Sequence, residues 1–225
     1  MKKPFSFGLL LLFLFFCMGC NASSGNVHTE PGKLYEIRKT SVENAGNIYC
    51  PELVSTSIDT NQINASLKEA LLAYLKENVA DYGQDAVVSL DFSTPSHNGT
   101  LLCVLFEGTV VYPSAAHPTN LAFSVCVRIS DGASICPTTL FQMDDGFFAA
   151  FREQLAVNPA PDQYDAVQWE QIAAYIGAYT NGDIEMLLNA NPQGTLAIAE
   201  EGVTVLFPVP HAIGDYIKIP VSTAR

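Results

Sequence analysis

The sequence predicts an α+β domain: a mostly antiparallel sheet of hairpins packed with about three helices. Two kinds of segment point to it. Extended stretches meet at the turn signals Asn98-Gly99 and Ser130-Asp131-Gly132, which suit tight chain reversal. Between them lie stretches with apolar residues at helical spacing, clearest in Ile63, Leu67, Leu71, Leu75 and Val79. Hairpins interleaved with separate helices are the pattern of that class.

Taken in order, Lys33 to Thr40 alternates apolar and charged residues, as a first strand does. Asn44 to Asn47 is a turn, and Ile48 to Pro51 starts a second extended piece that Pro51 should keep from a central place in the sheet. Asp59 or Thr60 can cap a helix over residues 61–79. Residues 86–93 and 100–112 are strand-like, joined by a polar loop from Pro95 to Gly99. Residues 120–129 and 133–136 form the next hairpin. Asp144 and Asp145 open a second helix with Phe148, Phe151 and Leu155 on one face, and Pro159 and Pro161 end it. A third helix covers 165–179 with Trp169, Ile172, Ile176 and Tyr179 aligned; Asn181-Gly182 ends or bends it. Residues 195–199, 203–207 and 215–221 are the closing strands.

The start of the chain reads as an export signal. Met1-Lys2-Lys3 is positive, Phe5 to Met18 is almost wholly apolar, and Gly19-Cys20 closes the run. At roughly 15 residues the run falls short of the ~20 a spanning helix needs. Residues 1–19 are therefore expected to be a lipoprotein-type signal peptide, Cys20 the lipidation site, 20–33 a flexible tether and 34–225 a single domain. Cys17 stands where leucine is usual, and plain secretion or a retained anchor are the alternatives. A lipid on Cys20 would hold the protein to a bacterial membrane, outside the cytoplasm.

From Cys20 onward, nine basic residues face 23 acidic ones, a net charge of −14. Such a surface repels nucleic acid and favours cationic partners. Four cysteines follow Cys20, an even number that suits an oxidising compartment. If Ser130-Asp131-Gly132 is a three-residue loop, Ile129 faces Ala133 and Cys126 faces Cys136. Cys126–Cys136 is therefore the candidate disulfide; Cys50–Cys103 has no local support, and buried free thiols are the alternative. No phosphate loop, dinucleotide fingerprint, serine-hydrolase elbow or zinc-type cysteine spacing is present. No cofactor, metal site or catalytic residue is expected.

Several motifs occur in a familiar order. Tyr49-Cys50-Pro51 precedes Ile63-Asn64 at a helix start. A strand from Gly108 leads into Ala116-His117-Pro118, and Ile129 to Phe141, with Asp131-Gly132 and then Leu140-Phe141, resembles an Asp-x-Gly hairpin followed by Leu-Phe. Gly202 to Phe207, Ala212-Ile213-Gly214 and Ile219-Pro220 close the chain. Together these resemble the RsiV-like extracytoplasmic domain family over residues 35–222. That family senses lysozyme in anti-sigma factors and accompanies polysaccharide deacetylase domains as a non-catalytic module. The chain departs from the pattern at Pro208 to His211, where a tyrosine is usual. Neither a cytoplasmic anti-sigma segment nor a deacetylase domain is recognisable, so the resemblance implies binding alone. It names a cationic protein such as lysozyme, or peptidoglycan, as the partner.

His97, Tyr112, His117, Pro118 and His211 are the candidate binding-loop residues. His117 sits between small residues and Pro118; it either faces a ligand or makes a hydrogen bond that holds its loop. The alternative function is an envelope hydrolase acting on peptidoglycan or polysaccharide. Asp144 and Asp145 would be its obvious carboxylates, but helix capping explains them better. Phe147, Phe148, Phe151, Trp169, Tyr175 and Tyr179 are expected to pack between helices rather than to form a docking face.

Overall fold

A computed structural model describes residues 34–42, 47–80 and 85–222. The expected signal peptide, Cys20 and the tether lie outside the described residues.

The fold is α+β, in four layers. The first sheet has six strands in the order β1(Glu36–Ser41), β2(Asn47–Val54), β3(Val87–His97), β4(Leu101–Val111), β5(Thr119–Arg128) and β6(Ser134–Ile135). All its pairings are antiparallel except β2 with β3, which α1(Asn61–Asn78) connects. A second, antiparallel sheet contains β7(Leu196–Ala199), β8(Gly202–Pro208) and β9(Tyr216–Ser222). Its outer side carries α2(Asp145–Ala156), α3(Ala166–Gly177) and α4(Asn181–Ala190), and the single turn α5(Pro192–Thr195) leads into β7.

β4 and β5 are apolar on both sides because both sides are covered. On one side Leu102, Val104, Phe106, Phe123 and Val125 meet Ile63, Leu67, Leu71 and Leu75 of α1, each at most 1% exposed. Burying such a side chain stabilises the fold by about 2 kcal/mol. Tyr74 of α1 stacks on Phe123 with ring centroids 3.8 Å apart. The Asn64 side chain accepts from Leu53 N–H at 2.8 Å and donates to its carbonyl at 2.9 Å, tying the first turn of α1 to β2. On the other side the small or medium residues Leu105, Ala122, Ala197 and Leu206 let the two sheets close. The Ser124 hydroxyl crosses that seam to donate to the Leu196 carbonyl. Beyond the second sheet, Val203, Val205, Phe207, Ile217 and Ile219 meet Phe151, Trp169, Ile176 and Leu188.

Two glycines are required by close packing. A Cβ on Gly108 would lie 1.9 Å from the Ser89 carbonyl oxygen across the β3–β4 ladder. Gly132 has φ +68° and a Cβ there would come within 2.8 Å of the Gln62 backbone, so the β5–β6 turn sits directly on the start of α1.

Several expectations need correction. The candidate Cys126–Cys136 disulfide does not form; Cys126 is bonded to Cys103, and Cys136 is a free, exposed thiol. The cause is register. Arg128 N–H donates to Ala133 O, so the turn holds four residues, Ile129 to Gly132, and Cys126 pairs with Ile135. Cys103 and Cys126 are direct partners on β4 and β5, with Cα atoms 4.1 Å apart. Pro51 lies in a strand flanked on both sides, but β3 pairs only with Asn47 and Ile48, beyond its reach. Pro95 to His97 continue β3 past an irregularity between Ser93 and Ser96, leaving Asn98 to Thr100 as the turn. Residues 181–190 form a full helix, opened by a reciprocal cap between Thr180 and Asp183.

Candidate functional site

The five candidate loop residues do not form one site. His97 ends β3 opposite Leu102, whereas Tyr112, His117 and Pro118 follow the far end of β4. The length of β4 separates them by about 30 Å. The loop holding His117 is closed by Ala115 N–H donating to Tyr112 O. His117 itself is exposed and has no hydrogen-bond partner among the described residues, so the anticipated loop-holding bond is absent. His211 begins a short helical turn, 211–213, between β8 and β9. Its Nδ1 lies 2.8 Å from Asp215 Oδ1.

Asp215 links that turn to the first sheet. It adopts φ +70°, and its Oδ2 accepts from Asn120 N–H, near the start of β5, at 2.7 Å. The Asn120 side-chain amide donates to Gly214 O at 3.1 Å. The Tyr164 hydroxyl donates to Ile213 O at 3.4 Å and accepts from Gln163 Nε2 at 2.9 Å. These contacts fix one wall of a cleft of about 390 Å³.

The cleft is lined by β5, the 159–164 connection, β8 and β9, with Asn120, Gln163, Tyr164, Thr204, Tyr216 and Lys218 as its polar lining. Beside it, one oxygen of Glu107 accepts from both Tyr216 Oη and Lys218 Nζ, each at 2.9 Å. Burial, reinforced by the Glu107 charge, pushes the Tyr216 phenol far above its ordinary range. Tyr216 is therefore a permanent donor, and the Glu107–Lys218 pair leaves little net charge there.

The chemistry of this arrangement is hydrogen bonding. His211 has a carboxylate partner, yet no serine, threonine or cysteine hydroxyl or thiol is bonded to it among the described residues. Asp144 caps α2 by accepting from Phe147 N–H at 2.9 Å. Among the described residues, no three His, Cys, Asp or Glu side chains converge to hold a metal ion. No helix among them is long and apolar enough to cross a membrane.

A second feature is the charge of the helical layer. Residues 144–190 carry eight carboxylates and one cation, Arg152. That cation is committed internally, its Nη2 donating to Tyr179 O at 2.5 Å and to Asn181 Oδ1 at 3.2 Å. Asp145, Glu153, Asp162, Glu170 and Glu185 are exposed and cap nothing. Val167 and Met186, 64% and 67% exposed, stand among the acids. The aromatic residues of this layer divide: Phe147, Phe148, Phe151 and Trp169 are buried as expected, whereas Tyr175 reaches the surface.

Sequence reasoning missed Glu107, Asn120, Tyr164, Tyr216 and Lys218. A signal existed: Glu107 is the one charge in a largely apolar strand, and Tyr216 and Lys218 alternate with Ile217 and Ile219. No known family profile and no curated protein matches the chain.

Proposed function

We propose that the protein is a lipid-anchored extracytoplasmic binding protein that captures a cationic protein partner and catalyses nothing. Lipidation at Cys20 would hold it at a bacterial envelope surface, and the domain from residue 34 would reach outward on its tether. The observation that carries this reading is the acid excess on the helical layer. Eight carboxylates face one internally bonded arginine there. The described residues from 34 to 128 carry eight acids and five bases. A one-sided negative field of this kind speeds the approach of a basic protein and orients it. The exposed Val167 and Met186 would supply apolar contact within the charged rim.

A lysozyme-like muramidase is the named candidate, because the resemblance to the RsiV-like family implies it and because such a partner is basic. Binding of purified lysozyme to the full chain at low ionic strength tests this. Saturable binding supports the reading. Its absence at low salt removes the muramidase as partner.

A further inference from the structure

We infer that the cleft beside Tyr164 and Tyr216 is a binding site for a neutral saccharide of one or two rings. The site borders the helical layer through the 159–164 connection, but the inference does not depend on the protein-partner reading.

Size is the first argument. About 390 Å³ lies at the lower end of small-molecule sites, enough for a short oligosaccharide unit and too little for a large cofactor. The second is unused hydrogen-bonding capacity. Asn120 Oδ1, Gln163 Oε1 and Thr204 Oγ1 have no partner among the described residues, and Lys218 spends one of its three donors on Glu107. This mixture of acceptors, a hydroxyl and spare donors matches a ring bearing several hydroxyls, each a donor and an acceptor.

Charge supplies the third argument. In a strongly acidic chain the cleft carries little net charge of its own, because its one lining cation, Lys218, is matched by Glu107. A phosphate or sulfate ester would find no unpaired cation, and a metal ion would find no convergent carboxylates. Pro159, Ala160 and Pro220 add apolar lining on which the C–H face of a sugar ring can lie. Finally, the polar groups are already fixed. Tyr164, Tyr216 and Asn120 are held by bonds to Ile213, Glu107 and Gly214, so ordering them adds little to the cost of binding.

The test is calorimetric titration of the full chain with chitobiose, cellobiose and maltose, and separately with inorganic phosphate. The chain is held in a polyoxyethylene detergent, which has no sugar head group. The expected result is saturable binding of at least one disaccharide and none of phosphate. Gln163→Ala and Thr204→Val, which leave the core untouched, should each weaken that binding about three- to tenfold. Glu69→Gln on the opposite side of the molecule should not alter it. Two results overturn the inference: no disaccharide binds, or one binds with an affinity that neither substitution changes. Lysozyme binding is measured on the same variants. Its loss would bear on the helical layer and its retention would leave the cleft result standing alone, so the two proposals fail separately.

Discussion

The two helical faces of the molecule are held on by different means. α1 has no side-chain cap at Thr60, yet its stripe of Ile63, Leu67, Leu71 and Leu75 is sealed against β4 and β5. Each of α2, α3 and α4 begins with a side-chain cap, from Asp144, Asp165 and Thr180. The α1 face is nearly charge-balanced, with Lys68, Glu69, Lys76 and Glu77 on one helix. The opposite face is acidic, and part of that acidity is structural: Asp144, Asp165 and Asp183 serve helix starts, where negative charge is favoured. The lesson is that net charge alone overstates the binding surface. The acids free to steer a partner are the five that cap nothing, Asp145, Glu153, Asp162, Glu170 and Glu185.

The comparison can be broken first in the cores. Phe151 and Leu71 are both fully buried. Phe151→Ala should cost about 3–5 kcal/mol and Leu71→Ala about 2–5 kcal/mol, read by denaturant unfolding. A small loss at Phe151 alone would mean that the helical layer is only loosely docked. Next comes the disulfide. Cys103 and Cys126 are 23 residues apart, so opening the bond with a Cys103→Ala, Cys126→Ala pair should cost about 3 kcal/mol. Cys136→Ala should cost little, because that thiol is exposed and free.

The caps give a smaller and sharper contrast. Asp165→Ala removes a reciprocal cap and should cost about 1 kcal/mol. Thr60→Ala removes no cap bond and should cost less than about 0.5 kcal/mol. Equal losses would contradict the division drawn above. The smallest effect is on acid stability. The Thr180 hydroxyl and N–H hold the Asp183 carboxyl below its ordinary range, and the Ala133 N–H, followed by Arg128, does so for Asp131. A carboxylate depressed in the folded state contributes stability that is complete above its unfolded value of 3.8 and fades as pH falls through its folded value. The melting temperature should therefore drop below about pH 4, and less steeply in Thr180→Ala.

Much of this architecture was legible in local pattern. The four-residue apolar spacing from Ile63 to Val79 marked α1, and Asn98-Gly99 marked the β3–β4 turn. α4 was hidden because Asn181-Gly182 reads as a break, although Thr180-x-x-Asp183 is a capping box. The disulfide was misplaced by one residue of hairpin register, which swings every side chain to the other face. The cleft left only separate traces, the lone charge Glu107 in β4 and the alternation of Tyr216 and Lys218 in β9, and nothing that joined them. Glu107 and Lys218 are 111 residues apart, and only the packing of one sheet on another brings them together.

The central claim is that a partner is recruited through the acids of α2, α3 and α4. It is tested by measuring how fast a cationic lysozyme associates with the full chain at about 0.01 M and about 0.15 M ionic strength, where charges are felt over about 30 Å and 8 Å. The wild-type rate should fall at least about tenfold as salt rises. A Glu153→Lys, Glu170→Lys, Glu185→Lys variant should bind slowly at both, while a Glu52→Lys, Glu69→Lys, Glu77→Lys variant, with the same change in net charge, should keep most of the wild-type rate. Equal losses in the two variants, or no association at the lower salt, would contradict the account.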